Sequence, residues 1–315
     1  MSKIKLLVTG SGGFIFSNFV RYILKNYSTY SVASIDRCDS TKVLNTIYSN
    51  KGHSFHIGDV ADEHFINVIF EMEKPDYVIH GAAKSLTDCS TKESLDFVHS
   101  NVQGTQIITN ACIKHGVKKL IYVSTNEVYG DSKNISRDES HSLHPHDIYA
   151  ATKAAGELIV QAANTHGLIY NITRSCNNYG PRQSITNLIP IIVSNILNDK
   201  EVTIYTRGDQ IRDWIHVQDN CSAILKVMES GKDNEIYNIS AKQEFMNIEL
   251  VHEICNILGR GHEFIKFLED KSIYDLQYTI NNDKLKELGW KPEFKFKDGL
   301  FHTVKWYQNN MWFLR

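Results

Sequence analysis

The chain has 315 residues, of which 42% are hydrophobic and 22% are charged, and its formal net charge is -2. This composition predicts a globular protein with one large domain or two fused ones, and the charge argues against a nucleic acid or membrane held by bulk electrostatics. No apolar run approaches the roughly 18 residues of a membrane helix, and the start MSKIKLLVTG is unlike a signal peptide, so we expect a cytoplasmic location.

The first half of the sequence alternates short β-branched apolar runs with longer segments of helical period. The predicted strands are KIKLLVT, SVASID, SFHIGD, DYVIHGA, KKLIYVS and LIYNITR, and a first helix is predicted from about Ser17. Strands that alternate with helices in this way predict an α/β protein with a doubly wound parallel sheet of the Rossmann type.

The second half has a looser rhythm from about Asn177 onward. NLIPIIVSNIL predicts a helix, and EIYNIS predicts a return to strand. We therefore predict a dinucleotide-binding domain over residues 1–176, with strand and helix returns near 214–240. Residues 177–315 should form mainly a smaller, interleaved substrate-binding lobe over the strand ends.

The six cysteines are scattered, without a CxxC or a Cys/His ligand spacing. We expect buried, reduced thiols rather than disulfides or zinc ligands, and no metal site. These residues are Cys38, Cys89, Cys112, Cys176, Cys221 and Cys255.

The stretch VTGSGGFIFSNF, which begins at Val8, predicts a strand, a glycine turn and a helix. In a dinucleotide-binding turn the first glycine makes the tight turn, the second lets the backbone reach the pyrophosphate, and the third lets the helix pack on the strand. Gly10 and Gly13 fit the first two roles, but Phe16 replaces the third glycine. We expect a slight outward shift of the helix with the phosphate site left open, and a turn that binds nothing is the alternative.

Asp36 ends the second predicted strand, where an acid would bind the ribose hydroxyls of an adenosine. This position favours NAD over NADP, although Arg37 beside it keeps NADP open. Polar or small residues also follow the other predicted strands, and the carboxyl ends of parallel strands meet at one edge, so they predict one binding rim. They are Asp59, Ala82, Ala83, Thr125, Cys176 and Asn177.

The segment YAATK places Tyr149 and Lys153 four residues apart at the start of a helix, hence on one face. A lysine near a phenol favours the phenolate, which could act as a base towards a sugar hydroxyl. Tyr129 and Lys133 repeat the spacing in a loop-like stretch, which we interpret as chance. STNEVYGD adds three further candidates at the rim, although an isolated acid there is more often simply solvated: Thr125, Asn126 and Glu127.

The motifs TGSGGFIFS, STNEVYGD, YAATK, SCNNYGPRQ, NLIP, GDQIRDWIHVQD and YNIS resemble those of the extended short-chain dehydrogenase/reductases, in the same order and across nearly the whole chain. Within that superfamily they are most similar to the nucleoside-diphosphate-glucose 4,6-dehydratases, such as the dTDP-glucose enzyme. The resemblance implies a lyase with bound NAD, in which Tyr149 deprotonates the C4 hydroxyl while hydride passes to NAD. Glu127 would remove the C5 proton, water would leave from C6, and hydride would return to C6. The implied product is a 4-keto-6-deoxy sugar nucleotide, a step towards deoxysugars such as rhamnose.

The resemblance also implies a set of contact residues and a homodimer built from the helices around residues 95–116 and 149–166. Those near NAD would be Gly10, Gly13, Phe14, Ile15, Asp36, Arg37, Asp59, Val60, Ala82, Ala83, Ser124, Tyr149, Lys153 and Cys176. Those near the substrate would be Ser85, Thr125, Asn177, Asn187, Leu188, Arg212 and Asn238, with Arg212 on the diphosphate. The alternative for Arg212 is an ion pair with Asp209 or Asp213.

Three departures from the family pattern bear on activity. Asn126 stands where the family has the acid that protonates the leaving hydroxyl. The segment EDKSIYDLQYTIN keeps only Asp275 of the family's Arg-Pro-Gly-His-Asp pattern, and Lys271 could replace the lost positive charge. In another segment, Lys84 and Leu86 stand where the family usually has an acid and a histidine. An NAD-dependent C4 epimerase or decarboxylase, or a non-catalytic NAD or sugar-nucleotide binder, therefore stay as alternatives, and thymidine and uridine nucleotides are not distinguished.

Overall fold

The computed structural model describes residues 3–37, 52–85, 94–131, 135–269 and 279–314. Several positions named above lie outside the described residues: Cys38, Leu86, Cys89, Lys133, Lys271 and Asp275.

The described strands are β1 (Ile4–Thr9), β2 (Tyr30–Asp36), β3 (His53–Ile57), β4 (Tyr77–His80), β5 (Lys119–Thr125), β6 (Tyr170–Ser175), β7 (Asn177–Tyr179), β8 (Val202–Tyr205), β9 (Ile211–His216), β10 (Glu235–Ile239), β11 (Glu244–Met246) and β12 (Ile265–Leu268). The described α-helices are α1 (Phe14–Asn26), α2 (Glu63–Glu73), α3 (Ser94–Phe97), α4 (Gly104–Lys114), α5 (Ile148–Ala162), α6 (Leu188–Leu197), α7 (Val217–Ser230), α8 (Asn247–Leu258), α9 (Asp283–Glu287) and α10 (Phe296–Asn309). A π-helical turn, Val98–Gln103, joins α3 to α4, and 3₁₀ turns cover Asn126–Tyr129, Ala163–His166 and Met311–Leu314.

The main sheet has seven strands in the order β10-β6-β5-β4-β1-β2-β3. All of its neighbouring strands are parallel. The predicted doubly wound parallel sheet is confirmed. The strand order reverses between β1 and β4, and in open α/β sheets a crevice for ligands opens at such a reversal.

The second half contributes to three different sheets, one of which is the two-stranded pair of β8 and β12. β10 returns to the main sheet beside β6, with Tyr237 opposite Thr173. β9 instead joins β7 and β11 in a separate three-stranded sheet. The predicted return near residues 214–240 therefore involves α7 and β10, whereas the division at residue 176 stays a prediction.

The first helix begins at Phe14, three residues before the predicted Ser17, which corrects that boundary. Gly13 caps it in an extended conformation, and its N–H donates to the carbonyl of Gly10 at 3.0 Å. This hydrogen bond closes the short turn that connects β1 to α1.

Side chains from both faces of the main sheet are buried. Leu6 and Val8 of β1 pack on one face with Ile224 of α7, whereas Leu7 packs on the other with Ile108 of α4. This alternation is the period of two expected for a strand covered on both sides. A third cluster, around Tyr179 and Phe296, holds the second half together.

The described cysteines are all buried and free of disulfides: Cys112, Cys176, Cys221 and Cys255. Within the described ranges, the helices are too short or too polar to cross a membrane.

Candidate active site

A cavity of about 810 Å³ opens where the order of the main sheet reverses. It brings together most of the predicted cofactor residues, namely Gly10, Gly13, Phe14, Ile15, Asp36, Arg37, Val60, Ala82, Ala83, Ser124 and Cys176. The same walls contain predicted catalytic and substrate residues, namely Ser85, Thr125, Asn126, Glu127, Tyr149, Asn177, Asn187 and Leu188. Four predicted site residues are not part of these walls: Asp59, Lys153, Arg212 and Asn238.

The glycine turn is shaped for close approach of another backbone. Gly10 has a φ of 76°, and a Cβ atom there would lie 2.8 Å from the Cα of Ala82. Glycine is therefore required at this position on both conformational and steric grounds. The first turn of α1 follows Gly13 and contains no acidic residue. Such a helix start is suited to a pyrophosphate, which its backbone N–H groups can bind.

Phe16, the residue in place of the third glycine, lines the cavity but is largely buried. Its side chain is 5% exposed, and its ring packs edge-on against Phe19 with centroids 6.3 Å apart. The ring occupies the space beside Gly81, where a Cβ atom would lie 1.8 Å from its Cε2. The bulky side chain is thus accommodated by a glycine on β4's carboxyl end, while the predicted outward shift of α1 stays a prediction.

Two carboxylates lie at the carboxyl ends of β2 and β3, and of these two Asp36 also lines the cavity. Asp36 accepts a 2.8 Å hydrogen bond from the N–H of Gly12, so it lies against the glycine turn. Asp59 lies 3.7 Å from a guanidinium nitrogen of Arg37 and 3.1 Å from the ring of His99. Burial opposes ionisation of Asp59, but hydrogen bonds from the backbone and His99 outweigh it and lower its pKa. Because Arg37 already faces a carboxylate, the arrangement suits an adenosine ribose without a 2′-phosphate.

The catalytic candidates come from two adjoining elements. Thr125 ends β5, and its hydroxyl accepts from the N–H of Glu127 at 3.3 Å in the following 3₁₀ turn. Asp147 caps α5 by accepting from the N–H of Ala150 at 2.8 Å, which places Tyr149 in the first turn. Asp147 was not predicted, although an acid just before a helix is a recognisable capping signal.

Glu127 has the protonation behaviour of a general base. Burial raises its pKa to about 7, the nearby carboxylate of Asp147 adds to the rise, and Arg212 opposes it. A carboxyl with a pKa near 7 exchanges protons readily at neutral pH.

Lys153 is not among the groups that shift the pKa of Tyr149, so its predicted effect on the phenol stays a prediction. Burial raises the pKa of Tyr149 above its usual value, and Glu127 and Asp147 add to the rise. Burial also lowers the pKa of Lys153 to about 7, opposed by Glu157, and its ammonium lies 4.2 Å from the centre of the Tyr122 ring. Sequence spacing located the pair, but burial disfavours the charged form of both groups.

A buried ion pair lies one turn beyond Lys153 and was not predicted. Arg174 donates to both carboxylate oxygens of Glu157, at 3.0 Å from Nε and 2.6 Å from Nη2. The guanidinium also lies 4.6 Å from the centre of the Tyr129 ring. This pair fixes α5 to β6 beneath the catalytic candidates.

Asn238 does not reach the cavity, which corrects its predicted contact with a diphosphate. Its side chain is fully buried and accepts from the hydroxyl of Tyr129 at 2.9 Å. Its amide nitrogen donates to the carbonyls of Arg137 and Asn281. The physical reason is that β10 returns to the main sheet, so these partners already occupy the amide.

Arg212 borders a second cavity of about 540 Å³, which shares Leu188 with the first. Among the described residues Arg212 forms no ion pair with Asp209 or Asp213. The carboxylate of Asp213 instead accepts from the hydroxyl of Ser240 and the N–H of Gln243. The alternative role of Arg212 as a partner of those acids therefore finds no support.

Other residues of the first cavity were not predicted, among them Asn178, Arg182, Gln183, Trp214 and Phe313. Two quoted motifs could have pointed to most of them, because SCNNYGPRQ contains Asn178, Arg182 and Gln183 and GDQIRDWIHVQD contains Trp214. Phe313 lies in no such motif. No cluster of three or more potential metal ligands occurs in the described ranges.

Comparison with known proteins agrees with this site. Residues 6–240 match the NAD dependent epimerase/dehydratase family. The chain is 38% identical over 306 residues to the low-salt glycan biosynthesis protein Agl12 of Haloferax volcanii, covering 96% of this chain and 98% of that protein. It is 36% identical over 315 residues to a dTDP-glucose 4,6-dehydratase of Streptomyces niveus, covering 97% and 93%. The structure of DesIV, a dTDP-glucose 4,6-dehydratase from Streptomyces venezuelae with NAD and TYD bound, matches with a TM-score of 0.93 and 35% identity, covering 99% and 100%. The chain belongs to the NAD dependent epimerase/dehydratase family.

Proposed function

We propose that this protein is an NAD-dependent hydro-lyase that converts a nucleoside-diphosphate glucose to its 4-keto-6-deoxy sugar nucleotide, a precursor of deoxysugars such as rhamnose. One observation carries the proposal: Glu127, whose pKa is raised to about 7, shares a cavity with Tyr149. A 4,6-elimination needs one base at C4 and a second at C5, whereas a C4 epimerisation needs only the first.

The glycine turn and the carboxylates of Asp36 and Asp59 fit NAD. Gly10 and Gly13 would place the backbone against the pyrophosphate, and Asp36 would accept from the ribose hydroxyls. Bound NAD⁺ supplies the hydride acceptor, the later hydride donor and a positive charge that favours the phenolate of Tyr149. Lys153 and Thr125 would assist Tyr149 in taking the C4 hydroxyl proton.

After C4 oxidation the ketone acidifies the C5 proton, which Glu127 is positioned to remove. The C6 hydroxyl must leave with a proton, and Asn126 can donate a hydrogen bond but cannot transfer a proton. We propose that Glu127 returns the proton that it took from C5, either directly or through a water held by Asn126. Water would then leave with the proton that came from C5, and Glu127 would be regenerated as carboxylate. When hydride returns to C6, C5 would take up a proton from solvent, and Tyr149 would release to solvent the proton that it took from the C4 hydroxyl, so that one water is lost overall.

Arg212 lies at the second cavity, where we place the nucleotide half of the substrate. Its guanidinium would bind the diphosphate near Leu188, which borders both cavities. Thr203 and Tyr205 line the second cavity, and Tyr205 offers an aromatic surface for the base. Thymidine is favoured by the named function of the similar dehydratases, and uridine is the competing choice.

A substrate deuterated at C4 tests the reaction with both dTDP-glucose and UDP-glucose. A 4,6-dehydratase moves the label from C4 to C6 of a product that is lighter by one water, which mass spectrometry and NMR detect. Retention of the label at C4 of an epimer would instead identify a C4 epimerase. This alternative is retained because Asn126 replaces the acid that a dehydratase would use. No movement of label despite bound NAD would identify a non-catalytic binder.

We also propose a homodimer formed through α3, the π-helical turn, α4 and α5. These elements contact one another and expose apolar side chains, with Leu95 76%, Val98 43% and Leu158 59% exposed. Burial of such side chains against a second copy would stabilise the association. Light scattering at micromolar concentration should give twice the monomer mass, and Leu158→Glu should shift it to the monomer value.

A further inference from the structure

Two arginines at α1, Arg182 and Arg21, form no ion pair with a carboxylate among the described residues. Arg182 follows β7 in the left-handed conformation, with a φ of 73°, and lines the first cavity together with Gly10 and Gly13. Arg21 projects from α1. Its Nε and Nη2 atoms are buried and make no hydrogen bond within the part of the chain that the structure describes.

Arg182 is held in place by neutral groups. Its Nη1 donates to the side-chain carbonyl of Asn18 at 3.3 Å, and its guanidinium lies 5.2 Å from the centre of the Trp306 ring. Asn18 in turn donates to the carbonyls of Phe14 and Pro181, at 2.9 and 3.0 Å. Asn18 thus ties the arginine's loop to the first turns of α1 and leaves the positive charge uncompensated.

The electrostatics of the pair call for an anion. Asn18 and Arg21 are three residues apart on α1 and therefore share a face, which brings the two guanidinium groups together. Burial and the charge of Arg182 lower the pKa of Arg21 to about 10. Burial also lowers the pKa of Arg182, opposed only by Tyr307. A buried cation without a partner is costly, and guanidinium groups match the oxygen atoms of a phosphate.

We propose that Arg182, supported from behind by Arg21, binds a phosphate group at the glycine-turn end of the first cavity. Arg182 contacts the phosphate, and Arg21 is a positioning residue that holds its neighbour towards the cavity by repulsion. The diphosphate of the cofactor lies on this side of the site in the proposed function, and the diphosphate of the substrate is the other source. The inference rests on the proposed function only for the choice between these two sources.

The test is calorimetry on the full chain with four probes: ADP-ribose, adenosine, thymidine diphosphate and inorganic pyrophosphate. Arg182→Gln should weaken ADP-ribose and pyrophosphate binding by roughly 10- to 100-fold, the usual worth of a charge-assisted hydrogen bond. Adenosine binding should be unchanged because adenosine has no phosphate. Arg182→Lys should restore part of the loss, and Arg21→Gln should give a smaller loss than Arg182→Gln.

The matched control is Arg260→Gln, since Arg260 is an exposed arginine paired with Asp199 at 3.0 Å and lies outside both cavities. It should leave all four affinities unchanged. A loss confined to thymidine diphosphate and pyrophosphate would support the phosphate site and assign it to the substrate. Equal losses for adenosine and ADP-ribose, unchanged affinities in Arg182→Gln, or a wild type that binds none of the phosphate probes would each overturn the proposal. Pyrophosphate binding tests the phosphate site even if the protein converts no sugar nucleotide. Failure of the proposed function can therefore be distinguished from failure of this proposal.

Discussion

The pairing of Phe16 with Gly81 predicts a specific double-mutant result. A Cβ atom on Gly81 would lie 1.8, 2.1 and 2.5 Å from three carbons of the Phe16 ring, far inside the roughly 3.5–4.0 Å of ordinary carbon contact. Gly81 does not have a positive φ, so alanine there is strained only by this collision. Gly81→Ala should therefore destabilise the protein by roughly 1–3 kcal/mol, the usual cost of overpacking a core.

Phe16→Ala removes the obstructing ring and leaves a cavity, at a cost of roughly 3–5 kcal/mol. In the double variant the new methyl group enters space that the ring has vacated. The loss of unfolding free energy measured for the double variant should then be smaller than the sum of the two single losses, by a coupling of roughly 0.5–3 kcal/mol.

Urea denaturation at one fixed protein concentration measures these free energies of unfolding, and the fixed concentration matters because association would contribute. Calorimetry with NAD on the same variants shows whether the collision reaches the adjacent glycine turn. A neutral Gly81→Ala, or costs that simply add, would refute the argument that this glycine accommodates the phenylalanine.

Three further predictions concern individual residues. Glu127→Gln should permit C4 oxidation but abolish loss of water. Because only the carboxylate can act as base, the wild-type elimination rate should rise as the pH increases through about 7. A pH-independent wild-type rate would exclude this role. Glu157→Gln should cost roughly 3–5 kcal/mol of unfolding free energy by leaving a buried arginine unpaired, whereas the exposed, ion-paired Glu201→Gln should cost roughly 0–1 kcal/mol. Gly10→Ala should abolish NAD binding through its collision with the neighbouring strand, whereas Gly167→Ala, with a similar φ of 86° but open space around it, should retain NAD affinity on calorimetry.

The sheet was predictable because its signal is local. Each buried parallel strand is a short apolar run, and β5 and β6 are buried along their whole length. The rim followed from the same runs, since residues after parallel strands meet at one edge whatever the details of the fold. This explains why Asp36, Ala82 and Thr125 were placed in one cavity from sequence alone.

The features that the sequence did not reveal depend on distant segments. The pKa values of Tyr149 and Lys153 are governed by burial, which a spacing of four residues does not reveal. Asn238 was assigned to the substrate by motif, but its amide is occupied by groups from segments about 40 to 110 residues away. The sequence around Gly81 does not by itself indicate that this glycine accommodates the Phe16 ring.

A buried chain of hydrogen bonds links the glycine turn to α5. The backbone N–H groups of residues 81–82 donate to the hydroxyl of Thr9, which therefore donates to Nδ1 of His80 at 2.7 Å. The hydroxyl of Thr105 donates to the carbonyl of Asn101, so Nε2 of His80 must carry the proton that Thr105 accepts.

From Asn101 the chain of hydrogen bonds continues to Tyr149. Its amide donates to the hydroxyl of Thr152 at 2.9 Å, and that hydroxyl donates to the carbonyl of Tyr149 at 2.9 Å. Because each hydroxyl in the chain of hydrogen bonds donates to one acceptor, reversing the bond of any of them would leave another buried group unpaired, which is costly. The position of Tyr149 relative to the glycine turn is thus fixed by groups that neither Phe16 nor Asn126 belongs to, and these two departures from the family pattern leave that relative placement intact.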